Sequence, residues 1–231
     1  MAIVLLVRHG RSTSNTAGTL AGRLPGIHLD DTGREQVART GERLADVPLA
    51  EVVTSPLERC RETAEAITTH HDLTATVDEA LTECGYGDWQ GRPLEELARE
   101  DLWKVVQGQP AAAAFPGGVS LTQRQARAVA AIRAHDARLE AAHGPAAVWV
   151  AVSHGDVIKS VLADAAGMHL DLFQRLHVDP ASVSIVRYAP QRPTVIAVNT
   201  HAGDLGWLRA PEPSGDAAVG GGAGPGTSTP K

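Results

Sequence analysis

The chain has 231 residues, 43% of them hydrophobic, enough for one substantial core in one or at most two domains. A formal net charge of -6 and a pI near 5.9 exclude the basic surface of a general nucleic-acid binder, so any anionic ligand has to be held by locally clustered arginines. No apolar run reaches the roughly 18 residues that span a bilayer, the N-terminus lacks the pattern of a signal peptide, and Cys60 and Cys84 do not make a disulfide framework. The expectation is a cytoplasmic protein with no membrane and no nucleic-acid partner.

In chain order, Ile3-Val4-Leu5-Leu6-Val7 reads as a strand buried on both faces. It stops at Arg8-His9-Gly10-Arg11, where a glycine frees the backbone to turn and a capping cluster, Ser12 to Asn15, follows. Two arginines around a histidine at a strand end suggest an oxyanion site. The next stretch, TAGTLAGRLPGIHLDDTG, is an irregular loop carrying Arg23, which reads equally as a solvated arginine or as a substrate contact. Asp31 or Thr32 is expected to cap a helix ending before Pro48. A short strand at Glu51–Thr54 leads to Ser55-Pro56, read as the cap and first position of a helix that carries Arg59 and Cys60 in its first turns.

Thr74 to Val77 alternates like an edge strand, and the glycine-rich segment Asp78 to Gly91 reads as a loop of the kind that carries function. Two short helical stretches (93–100 and 101–107) and a break precede a long amphipathic helix, expected from Leu121 to Ala142. Ala147 to Val152 is a further apolar strand, ending at Ser153-His154-Gly155-Asp156 and entering a helix. Two strands, 182–188 and 194–198, should form an antiparallel hairpin. The domain is bounded at 1–208, and the Gly/Pro/Ala-rich stretch 209–231 is expected to be a flexible tail.

Three of these strands end in a cationic or imidazole group beside a helix start: Arg8 and His9, then Arg59, then His154. In an open α/β sheet the carboxyl ends of parallel strands share one edge, where ligands bind and helix N-termini favour phosphate. Taken singly, each residue keeps a plainer reading: His154 as a hydrogen-bonded strand-end histidine, Glu83 as a solvated loop carboxylate.

The blocks RHG followed by Ser and Asn, SPLERCRETA, LTECGYGDWQG and SHGDVIK, in that order, resemble the motifs of the histidine phosphatase (phosphoglycerate mutase-like) superfamily, from about Ile3 to Val198. The resemblance implies a three-layer α/β/α fold with a mostly parallel central sheet. It also implies a phosphatase that works through a phosphohistidine without metal or cofactor. By matching positions it makes His9 the nucleophile, Arg8, Arg59 and His154 the rest of the phosphate pocket, and Glu83 the general acid. Asn15 and Ser12 become phosphate ligands, Tyr86 keeps a tyrosine shared with the mutases, and Arg11 has no catalytic duty.

The substrate expected is a small phosphomonoester, of sugar phosphate or phosphoglycerate type. The alternative is a cofactor-dependent phosphoglycerate mutase. Against it, the stretch after the acid block is short and has no Arg-Arg pair, although it does hold Lys104. A phosphoprotein phosphatase and a non-catalytic phospho-ligand binder rank lower, and a homodimer is compatible with the sequence. His70-His71 and the remaining histidines are read as ordinary surface residues, the four tryptophans as packing, and the two cysteines as buried and inert.

Overall fold

The fold is that of a computed structural model, which describes residues 2–189, 191–201, 219, 220 and 222. The elements are β1 (Ile3–Arg8), α1 (Thr13–Ala17), α2 (Asp31–Leu44), β2 (Leu49–Thr54), α3 (Glu58–Thr68) and β3 (Thr76–Val77). They continue with α4 (Leu94–Leu97), α5 (Asp101–Gly108), α6 (Leu121–His143), β4 (Val148–Ser153), α7 (Gly155–Ala165), β5 (Val183–Tyr188) and β6 (Pro193–Thr200). The six strands form one sheet in the order β3-β2-β4-β1-β5-β6. β3, β2, β4 and β1 run parallel, while β5 pairs antiparallel with β1 and β6 antiparallel with β5, as the hairpin pattern required.

Successive side chains of a strand point to opposite faces, and the core divides accordingly. Val4 and Leu6 of β1, with Trp149 and Ala151 of β4, pack under α6 and α7 through Ile132, Leu139, Val157 and Val161. Leu5, Val7, Val150 and Val152 face the other way, onto Leu44, Cys60, Ala64 and Ile67 of α2 and α3. A third apolar cluster, with Tyr86, Trp89, Trp103 and Phe115, lies under the 85–119 segment. The helices after β1 and after β4 thus cover opposite faces, which makes the crevice between the carboxyl ends of these two neighbouring strands the switch point of the sheet. Arg8 is paired with Ser153 in the β1–β4 register, so His9 and His154 leave adjacent strands at the same level.

Local corrections to the sequence reading are small and have causes. Asp30, one residue earlier than expected, caps α2, accepting the Gly33 N–H at 2.7 Å. Helix α3 starts at Glu58, later than Ser55-Pro56 suggested, with Leu57 at its N-cap and so no side-chain cap; the Ser55 hydroxyl, two residues earlier, meets His154 (2.8 Å) and accepts the Leu57 N–H (3.5 Å). Of the stretch expected to be a flexible tail, only Val219, Gly220 and Gly222 are among the described residues, and these are held: Val219 is buried and joins the third cluster. The rest of the tail, and Trp207 before it, lie outside the described residues. Among the described residues no helix is long and apolar enough to cross a membrane.

Candidate active site

His9 sits where the chain leaves β1. Its N–H donates to the Ser153 carbonyl (3.0 Å), which ties it to the end of β4. Its Nδ1 lies 2.7 Å from the Gly10 carbonyl oxygen, an atom that only accepts, so Nδ1 carries the proton and Nε2 keeps its lone pair. Gly10 is required by close approach: a Cβ there would lie 2.7 Å from both the Gly33 carbonyl oxygen and Val37 Cγ1. Its N–H donates to Thr63 Oγ1 (3.2 Å), fixing the turn to α3. From the other side Ala181, held at φ 58, donates its N–H to the carbonyls of Arg8 (3.1 Å) and His9 (3.2 Å).

Around His9 stand two buried guanidinium groups. Arg59 donates from Nη2 to the Gly22 carbonyl (2.9 Å) and to His154 Nδ1 (3.2 Å). Arg8 donates from Nη1 to the Val178 carbonyl (2.8 Å) and from Nη2 to the Gly222 carbonyl (2.6 Å). Arg59 Nη1 and Arg8 Nε are buried without a hydrogen-bond partner among the described residues. Buried donors of this kind are costly unless they meet an acceptor, and on two arginines flanking an imidazole the fitting acceptor is an anion.

His154 completes the group from behind. Its Nδ1 accepts from Arg59, so its proton lies on Nε2 and is donated to Ser55 Oγ. Its ring meets that of His9 edge-on at 5.3 Å between centroids. The resemblance puts His154 in the phosphate pocket; here its Nδ1 is engaged by Arg59 and its Nε2 by Ser55, and it stands behind the residues that line the cavity. Burial, then the charges of Arg59 and Arg8, hold the His9 imidazolium well below its ordinary range; burial and Arg59 do the same for His154. Both rings are neutral near pH 7.

Glu83, on the loop after β3, is buried and accepts the Cys84 N–H at Oε1 (2.8 Å). Burial, followed by the nearby carboxylate of Asp156, raises its pKa, against the opposing pull of Arg124 and Arg59. A raised carboxyl beside neutral imidazoles is the division of labour that acid-base catalysis uses. His9, Arg59 and Glu83 line one cavity of ≈ 220 Å³ with Ser12, Asn15, Tyr86, Val219, Gly220 and Gly222.

The expected substrate residues fall into two groups. Ser12 caps α1 and donates to Asn15 Oδ1 from its N–H (3.0 Å) and Oγ (2.8 Å); both residues line the cavity. Tyr86 is fully buried, with its hydroxyl lacking a partner among the described residues. Arg23, by contrast, is exposed and reaches the backbone carbonyl of Glu83 (2.9 Å) instead of the cavity. Arg11 is taken by Asp30 at 2.7 Å.

Several participants escaped sequence reasoning. Ser55 read as a helix cap, Asp156 only as part of the strand end before a helix, and Arg124 was not singled out. Asp156 is buried, accepts the Gly220 N–H (3.0 Å) and lies 3.5 Å from both Arg124 Nη1 and Lys159 Nζ. Cys60 places Sγ 3.5 Å from His154 Nε2, and burial pushes its thiol up to about 12. Among the described residues no cluster of three or more His, Cys, Asp or Glu is placed to hold a metal ion.

A crevice at a sheet switch point, with an imidazole between arginines whose buried donors lack partners among the described residues, is an arrangement suited to an anion. Residues 4–201 match the histidine phosphatase superfamily, branch 1, and the chain belongs to that family. An uncharacterised Mycobacterium tuberculosis protein is 46% identical over 80 residues, a match that spans 35% of this chain and 39% of that protein. A Yersinia pestis protein named as a phosphoglycerate mutase is 30% identical over 191 residues, 81% of this chain and 86% of its own. A mycobacterial glucosyl-3-phosphoglycerate phosphatase, solved with vanadate, shares the fold at a TM-score of 0.77, with 24% identity over 85% of this chain and 98% of its own.

Proposed function

We propose that this chain is a phosphatase that hydrolyses small phosphomonoesters through a phosphohistidine at His9. The observation that carries the reading is the His9 tautomer: Nδ1–H fixed on the Gly10 carbonyl leaves Nε2 as a neutral nucleophile beside two arginines with buried free donors. Nε2 attacks phosphorus as the ester P–O bond breaks, and Glu83 gives its proton to the departing alkoxide. The guanidinium groups of Arg8 and Arg59 offset the dianion's charge, with Ser12 and Asn15 at the same wall. Water then attacks the phosphohistidine, Glu83 takes its proton, and inorganic phosphate leaves with His9 restored. The arginines supply the charge, so no step calls for a metal. The cavity of ≈ 220 Å³ suits a phosphoryl group on a small organic body rather than a folded phosphoprotein.

His9→Ala is expected to abolish turnover, and rapid acid-free quenching of the wild-type enzyme should trap label on His9. Label on another residue, or none with a cleavable substrate, overturns the reading. Glu83→Gln should slow phosphohistidine formation from substrates with poor leaving groups by about 10²-fold or more while sparing that step with p-nitrophenyl phosphate, and should slow hydrolysis of the phosphohistidine whatever the substrate. A mutase reading is favoured by one observation, Tyr86 lining the cavity in a chain whose Yersinia pestis relative carries a mutase name. Conversion of 3- to 2-phosphoglycerate that depends on added 2,3-bisphosphoglycerate would replace phosphatase by mutase.

A further inference from the structure

The loop that carries Glu83 has successive carbonyls tied down by side chains from three separate parts of the fold. Ser153 Oγ, at the end of β4, donates to the Leu81 carbonyl (2.7 Å). Arg127 of α6 donates from Nη2 to the Thr82 carbonyl and, at 3.3 Å, to that of Glu83. Arg23 approaches the same Glu83 carbonyl from the 16–30 loop through Nε at 2.9 Å. Two guanidinium groups therefore converge on one backbone oxygen, against their mutual repulsion. Neither lines the cavity that holds His9.

We propose that Arg127, assisted by Arg23, is a positioning residue for the acid: the two guanidiniums clamp the Glu83 backbone and so set where its carboxyl stands relative to His9. This rests on the reading of Glu83 as the proton donor. The physical reason is that a loop residue's carboxyl moves with its main chain, and charge-assisted bonds to its carbonyl are the strongest available restraint on that chain. A displacement of about 1 Å is enough to cost about 10²-fold in a proton-transfer step. Burial and the neighbouring charge of Arg23 lower the Arg127 pKa, yet it stays cationic at neutral pH.

The test separates leaving groups. The rate of phosphohistidine formation is measured by quench-flow under single-turnover conditions, for p-nitrophenyl phosphate and for an alkyl phosphate. Nitrophenolate departs unprotonated, whereas an alkoxide needs the acid. Arg127→Met is expected to slow the alkyl phosphate about 10- to 100-fold and p-nitrophenyl phosphate by less than about 3-fold. Inhibition by inorganic phosphate should stay within about 2-fold, and Arg127→Lys should restore part of the loss. Equal slowing of both substrates, or of neither, overturns the proposal. Should Arg127→Met fail to fold, Arg23→Met carries the same test from the exposed side, with the same split expected. Glu83→Gln run in parallel distinguishes the two failures. No split in Glu83→Gln overturns the role of Glu83, whereas a split there without one in the arginine variants overturns the clamp.

Discussion

Ser55 shows how a residue changes meaning between sequence and fold. Before a proline and a helical pattern it reads as a cap, but its hydroxyl accepts from His154 Nε2, and α3 begins uncapped. Ser55→Ala should leave a buried imidazole N–H without its acceptor and cost about 1–3 kcal/mol, read from urea unfolding. Cys60, 0% exposed and with its thiol pushed up to about 12, should resist iodoacetamide in the folded enzyme and react only on unfolding; a Cys60→Ser variant should keep full activity. His9 and Arg59 were legible as candidates because they follow strand ends, and Glu83 only through the resemblance of the LTECGYGDWQG block. Arg127 was not legible. It acts on a backbone carbonyl, and every residue has one, so no spacing of side chains encodes the contact.

At the scale of elements, hydrophobic periodicity found the strands and the long helix with their order, since both are set by burial. Ends were less legible where polar contacts decide them, as at Asp30 and at β2, which begins at Leu49 rather than Glu51. The start of α6 matters most for the site, because that helix brings Arg127 to the Glu83 loop and Arg124 to Asp156. Its first turn is fixed by a capping box: Ser120 Oγ accepts the Gln123 N–H (3.1 Å), and the Gln123 side chain accepts the Ser120 N–H (2.9 Å). Ser120→Ala should destabilise the protein by about 1 kcal/mol in denaturant titration. On the clamp reading it should also slow alkyl phosphates more than p-nitrophenyl phosphate.

For the whole molecule, two imidazoles that bind protons less readily than in the unfolded chain and one carboxyl that binds its proton more readily make stability depend on pH. Below the ordinary histidine value of 6.5, the unfolded chain binds two protons that folded His9 and His154 refuse, so stability falls as pH falls. Glu83 acts in the opposite sense: its raised pKa makes the folded site hold its proton more tightly than the unfolded chain does, a contribution lost as the pH rises. Below 6.5 two imidazoles oppose one carboxyl, so stability should fall as the pH falls from there. Urea midpoints across this range check the slope, which Glu83→Gln should steepen and His154→Asn flatten. The packing of Val219 and the Gly220 and Gly222 contacts were invisible in the sequence, since a glycine-rich run contains no side chain to announce a docking site. The pairing of Arg8 with Ser153 has a consequence for descent with modification. The separation of the two histidines is written into the register of two central strands, whereas the cavity wall is made by the 12–22 and 83–94 segments and the chain end. On the phosphatase reading, the strand pair with Ser12, Asn15, Arg59 and Glu83 fixes the reaction, and the remaining residues of the wall can change with the ester without touching it.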